Sequence, residues 1–170
     1  MYDILKLLFE ICLFKKGPQD LPYSIWLLRL LIVIYTVVRF LMLDIHTGWL
    51  SALLQIIVEI VLTIGFSWVI LYVHRTLNRF YQVASAFFGT DTLINFLALP
   101  GILTMEIGRG GWVVFVIMLG FIAWQCAVIA HIIHNALDQK LMFSFGLAIL
   151  YLLATYQVIT LLFPEVAVAE

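Results

Sequence analysis

The chain has 170 residues, 65% of them hydrophobic and 11% charged, with a net charge of −1 and a mean hydropathy of +1.13. Soluble domains are about half apolar and a quarter charged, so the composition excludes a soluble globular domain and sets the chain in a bilayer. The near-zero charge gives no basis for a nucleic-acid partner.

The first predicted element covers residues 2–14. Asp3, Lys6 and Glu10 share one helical face, and Ile4, Leu5, Leu8, Phe9, Ile11 and Leu13 cover the rest. This stretch is too short to span, and Lys15-Lys16-Gly17-Pro18 should stop it. An amphipathic helix lying in the membrane interface fits the pattern, as does a helix packed on the bundle. The acidic start, with no basic region or cleavage motif, does not read as a cleaved signal peptide.

Residues 1–22 therefore form an amphipathic helix and linker, ahead of a transmembrane domain over 23–163 and a short tail over 164–170. About twenty apolar residues cross a hydrocarbon core, and five stretches qualify: 23–44, 49–73, 82–105, 112–134 and 141–163. No strand alternation appears, and unpaired backbone is excluded from lipid, so these are helices. The breaks at 44–48, 74–81, 106–111 and 135–140 are short enough to force antiparallel neighbours. The predicted fold is all-α and polytopic, with five transmembrane helices plus the amino-terminal one.

Basic residues orient the chain. With the N-terminus inside, Lys6, Lys15, Lys16, Arg29, Arg75, Arg79 and Lys140 fall on the cytoplasmic side, against Arg39 and Arg109, so a cytoplasmic N-terminus and a C-terminus outside are expected. Trp26, Trp49, Trp68 and Trp112 fall near span ends, where indoles prefer headgroup level, while Trp124 is central. Cys12 and Cys126 sit in apolar runs without CxxC or metal-type spacing and read as small buried hydrophobes.

Ionisable groups inside a span are costly and usually face protein or water with a partner. Arg39 lies in the first span, and Gln55 and Glu59 share a face of the second. Asp91 and Asn95 are one turn apart in the third, between Gly89 and Pro100. Gln125 and Gln157 lie in the last two. Arg39 and Glu59 are offset by roughly 7 Å along the membrane normal, within reach of an extended Arg side chain. Gln55 or Asp91 is an alternative partner for Arg39, and a protonated Asp91 is a further alternative. Arg39, Gln55, Glu59, Asp91 and Asn95 thus form a candidate buried polar cluster that binds a lipid headgroup, relays a proton or only fixes helix packing. Gly89 should admit a close neighbour, and Pro100 should free a carbonyl near Phe96.

His74, His131 and His134 fall at one level on the cytoplasmic side. Three histidines there could ligate a metal or haem, but contacts with loop carbonyls or headgroups fit better, and no metal or other cofactor is expected. No GxSxG, HExxH, Walker or GxGxxG motif occurs.

The order of features resembles the Ypt-interacting protein (Yip) family domain, in its small bacterial five-span form. The resemblance is carried by ICLFKKGPQDLPYS at 11–24, SAFFGTDTLINFLALPG at 85–101, and WQCAVIAHIIHNALDQKLMFSFGLAIL, where a short His-Asn-Ala loop joins spans four and five. It covers nearly the whole chain. It implies a five-helix fold in the bacterial inner membrane and an adaptor or subunit role in envelope processes. Eukaryotic members associate with Rab GTPases through a longer cytoplasmic segment. Only about 22 residues precede the first span here, so the resemblance implies a fold rather than GTPase binding.

The expected function is that of a non-enzymatic scaffold, adaptor or lipid-related assembly subunit of a membrane complex. Its expected partners are membrane lipids and another membrane protein or a second copy of itself. A small oligomeric transporter or channel with a polar path past Glu59 and Asp91 is the alternative. A lipid-modifying enzyme comes third, for want of a visible nucleophile.

Overall fold

The computed structural model describes residues 2–43, 48–105 and 111–164. Among these are six α-helices and no strand: α1 Tyr2–Cys12, α2 Ile25–Leu43, α3 Trp49–Val73, α4 Phe80–Thr104, α5 Trp112–Leu137 and α6 Leu141–Leu162. The five helices after α1 are each long and apolar enough to cross a membrane. The chain is an all-α polytopic membrane protein. The turns at 44–47 and 106–110, with Arg109, and the tail from 165 onward lie outside the described residues.

Contacts between helices fix the up-and-down order. Tyr23 meets Tyr81, and Tyr35 meets Phe88, so α2 and α4 run the same way. His74 lies against Phe143, and Phe66 against Tyr151, so α3 and α6 run oppositely. One end of the bundle, termed proximal, therefore carries α1 and the turns after α3 and α5.

The proximal turns are tighter than the sequence breaks suggest. α4 begins at Phe80 after a 3₁₀ turn at Leu77–Arg79. His134, Asn135 and Ala136 are the last turn of α5 and not a loop. That helix stops only where Asp138 takes a left-handed φ of 52°. Arg79 Nη1 lies 3.4 Å from both Asp138 Oδ2 and the Asn135 carbonyl, tying the two turns together.

α1 ends earlier than the Lys15-Lys16-Gly17-Pro18 run would place it. Phe14 adopts φ 60°. Lys15 N then donates to Glu10 O and Phe14 N to Ile11 O, capping the last carbonyls. A 3₁₀ turn at Pro18–Asp20 follows, held by Gly17 N donating to Asp20 Oδ2 at 3.0 Å. Of the two arrangements open to this helix, it packs on the bundle. Leu8, Ile11 and Cys12 are fully buried, whereas Leu5, Phe9 and Leu13 point outward. A Cβ added to Gly89 would come within 2.5 Å of Leu8 Cδ2, so the missing side chain is what lets α1 seat there. Trp124 Nε1 donates to the Cys12 carbonyl at 3.0 Å, capping α1 from α5.

Packing is tightest proximally. Val83 to Thr90 on α4 and most of Val128 to Leu137 on α5 are buried. The first half of α5 is largely exposed, and on α6 only Ser144 and Ala148 are buried. Lipid tails are as apolar as leucine, so such bundles are held by close packing and interhelical hydrogen bonds rather than by the hydrophobic effect. α4 runs unbroken through Pro100. Gly65, Gly120 and Gly146 face open space, so none of them marks a close helix contact within the bundle.

Candidate functional site: a polar chamber among the spans

Where the packing loosens, the helices surround a partly open cavity of about 210 Å³. Its lining draws on all five spans: Tyr35 and Arg39 from α2, Glu59 and Thr63 from α3, Asp91 and Asn95 from α4, Gln125 from α5, Tyr151 and Thr155 from α6. Phe87, Phe88 and Val128 complete it at the proximal side.

Two electrostatic units share this space. In the first, Arg39 grips Glu59 with both arms of its fork: Nε donates to Oε2 at 2.9 Å and Nη2 to Oε1. The Tyr35 hydroxyl also donates to Oε2, at 2.8 Å. Tyr35 and Arg39 are four apart on α2, so one face delivers a hydroxyl and a guanidinium to a single carboxylate. Glu59 is 3% exposed, which makes the two-pronged geometry decisive, since a buried carboxylate without its partner is strongly unfavourable.

The second unit is Asp91. Asn95 Nδ2 donates to its Oδ2 at 3.0 Å, and Gln125 Nε2 donates to Oδ1. Both donors are neutral amides. Among the described residues no Lys, Arg or His nitrogen lies within ion-pair distance of Asp91. Of the alternatives the sequence left open for Arg39, the structure takes Glu59 and gives Asp91 to the amides.

On three helices the buried member lies proximally and the partly exposed polar one distally. Tyr35 precedes Arg39, Phe87 and Phe88 precede Asp91 and Asn95, and Gln125 lies distal to Val128. The chamber thus has a closed proximal floor and a polar distal side.

Of the five residues expected to cluster, Arg39, Glu59, Asp91 and Asn95 line this cavity; Gln55 is buried one turn from Glu59 and outside the lining. Tyr35, Thr63, Tyr151 and Thr155 were not foreseen. Each sits four residues from another lining residue on its own helix, so extending every polar position by one turn would have found Tyr35 and Thr63. Gln125 was visible as an intramembrane amide without an assigned neighbour. Thr63 Oγ1 is 2.8 Å from the Tyr151 hydroxyl and donates its own proton to the Glu59 carbonyl, which anchors α6 to α3.

The histidines do not come together. His74 Nδ1 meets the Ile70 carbonyl at 3.0 Å, His131 Nε2 the Lys16 carbonyl at 2.9 Å, and His134 Nδ1 the Gln139 carbonyl. Each fastens a turn or helix end, and among the described residues no group of His, Cys, Asp and Glu is placed to hold a metal. The chamber lining has no serine, cysteine, histidine or lysine. Compared with protein-family models, curated proteins and solved structures, the chain matches none.

Proposed function

We propose that this protein binds a small polar solute inside the membrane and serves as a subunit of a transporter or channel. The observation that carries this reading is the chamber itself. Hydrogen bonds that serve packing alone need no cavity, whereas here five helices converge polar groups on one. The Arg39–Glu59 pair holds α2 against α3, leaving Asp91, Asn95 and Gln125 as the groups available to a solute.

In this reading the proximal end is cytoplasmic, because Lys6, Lys15, Lys16, Arg75, Arg79 and Lys140 lie on that side. The membrane is the bacterial inner membrane, and the chamber faces outward. Five helices are few for a carrier, so the working unit is an oligomer. The resemblance to the Yip family supports a five-span fold and adds no reaction. Proteoliposomes carrying the protein are expected to take up at least one of glycerol, urea and methylammonium faster than empty ones. Asn95→Leu with Gln125→Leu, which fills the distal side, should abolish the difference. Equal uptake of all three with and without protein would overturn the proposal.

A second reading is favoured by α6, which leaves Leu150, Leu153, Leu161 and Leu162 outward. Such a face suits a scaffold or adaptor docked on a partner membrane protein. A stoichiometric partner recovered from native membranes in mild detergent, together with no solute uptake, would put this reading first.

A further inference from the structure

We propose that the solute is a small organic cation: an ammonium group seated on Asp91 and flanked by the rings of Tyr35, Phe87, Phe88 and Tyr151. This rests on the chamber reading and adds the chemical class of the ligand. It follows from which charges in the chamber are already spoken for. Arg39 spends both arms of its fork on Glu59, and Tyr35 adds a third donor to that carboxylate. That pair is neutral overall, and in the lining the two carboxylates Glu59 and Asp91 outnumber the single cation Arg39 by one charge.

Asp91 is different. It receives two amide N–H donors, one on each oxygen, and among the described residues no cationic side chain lies within ion-pair distance. Neutral donors orient a carboxylate without balancing its charge, and an unbalanced charge at this depth is costly. Each oxygen keeps lone-pair capacity beyond the one bond it accepts. The lining therefore carries one negative charge in excess, and Asp91 is the oriented carboxylate at which a cation from outside the chain can balance it.

The remaining lining selects the kind of cation. Tyr35, Phe87, Phe88 and Tyr151 all border the cavity. The Tyr35 and Phe88 rings are 5.3 Å apart and the Phe87 and Tyr151 rings 5.9 Å apart. Both tyrosines are fixed through their hydroxyls to α3, at Glu59 and Thr63. Aromatic rings around a cation, with a carboxylate at one side, are the chemistry that recognises substituted ammonium groups. Among the described residues no group of His, Cys, Asp and Glu is placed to hold a metal ion here instead. A volume of about 210 Å³ has room for a small amine.

The test is calorimetric titration of the purified protein in detergent with two probes of matched shape: choline, and 3,3-dimethyl-1-butanol, its uncharged isostere. Choline is expected to bind, and the alcohol roughly a hundredfold more weakly or not at all, as for loss of one partner of a buried charge pair. Asp91→Asn, which keeps the side chain's shape, should weaken choline by a similar roughly hundredfold factor. Phe88→Leu should weaken it by about three- to tenfold. Equal binding of choline and the alcohol, or undiminished choline binding by Asp91→Asn, overturns the cation assignment and leaves the chamber standing. Binding of neither probe overturns the assignment as well, and uptake into proteoliposomes then decides the chamber separately. The comparison of probes on the unaltered protein is decisive even where a variant fails to fold.

Discussion

At the scale of single residues, the Arg39–Glu59 pair is the clearest energetic commitment in the molecule. Removing one partner of a buried ion pair strands the other, at a cost of about 3–5 kcal/mol. Glu59→Gln and Arg39→Met should each lower stability by about that much, as read from unfolding in detergent. The double replacement Arg39→Met with Glu59→Met should recover most of the loss, because it removes both charges and keeps apolar bulk. Strictly additive losses would mean that the two side chains do not act as a pair. Cys12 offers an independent test of burial at this scale. Its environment pushes the thiol up to about 12, far above neutral pH, and only the thiolate is a good nucleophile. In a Cys126→Ser background, maleimide should leave Cys12 unmodified at pH 7.5 until the protein is denatured. The ion pair was readable from depth and reach along two spans. Its third member, Tyr35, is one turn from Arg39 on the same face, but tyrosine is common in spans and nothing local marks this one as the donor to Glu59.

At the scale of elements, α1 is the piece whose placement depends most on side-chain detail. The helix bounds followed from hydropathy and from turn residues. The turns were misjudged where non-glycine residues, Phe14 and Asp138, adopt left-handed conformations that sequence assigns to glycine. Gly89 announced a close contact without naming the neighbour, which is α1 and not another span. That contact joins residues 81 positions apart and depends on Trp124 capping Cys12 across 112, pairings that no local pattern encodes. Gly89→Val should push Leu8 away and destabilise the protein by about 1–3 kcal/mol. Combining it with Leu8→Ala, which vacates that space, should cost less than the two separate losses added together. Additivity within about 0.5 kcal/mol would mean that α1 does not dock at Gly89.

At the scale of the whole molecule, the bundle is tight at its proximal end and loose distally, and the polar groups gather at the boundary between the two. The proximal core of α4 and α5, sealed by α1, forms a rigid base. The distal halves of α5 and α6 are bound by few buried side chains, so they are the parts able to move when a solute enters. Composition made the class and the number of spans legible at once. The chamber was not, since it arises from five helices each contributing one polar face at a common depth, and relative rotation of helices is set by packing.

Access of water to that chamber is the most direct measure of its existence. With Cys12→Ala and Cys126→Ser in place, Thr155→Cys puts a thiol on the chamber wall, and Ala154→Cys puts one at the same depth on the outer face of α6. A membrane-impermeant cationic thiosulfonate is then applied to the protein in sealed vesicles. Because thiolates form only where water reaches, Thr155→Cys is expected to react at least ~10-fold faster than Ala154→Cys, and from one side of the membrane only. Equal, slow reaction at both positions would contradict a water-accessible polar chamber within the bundle.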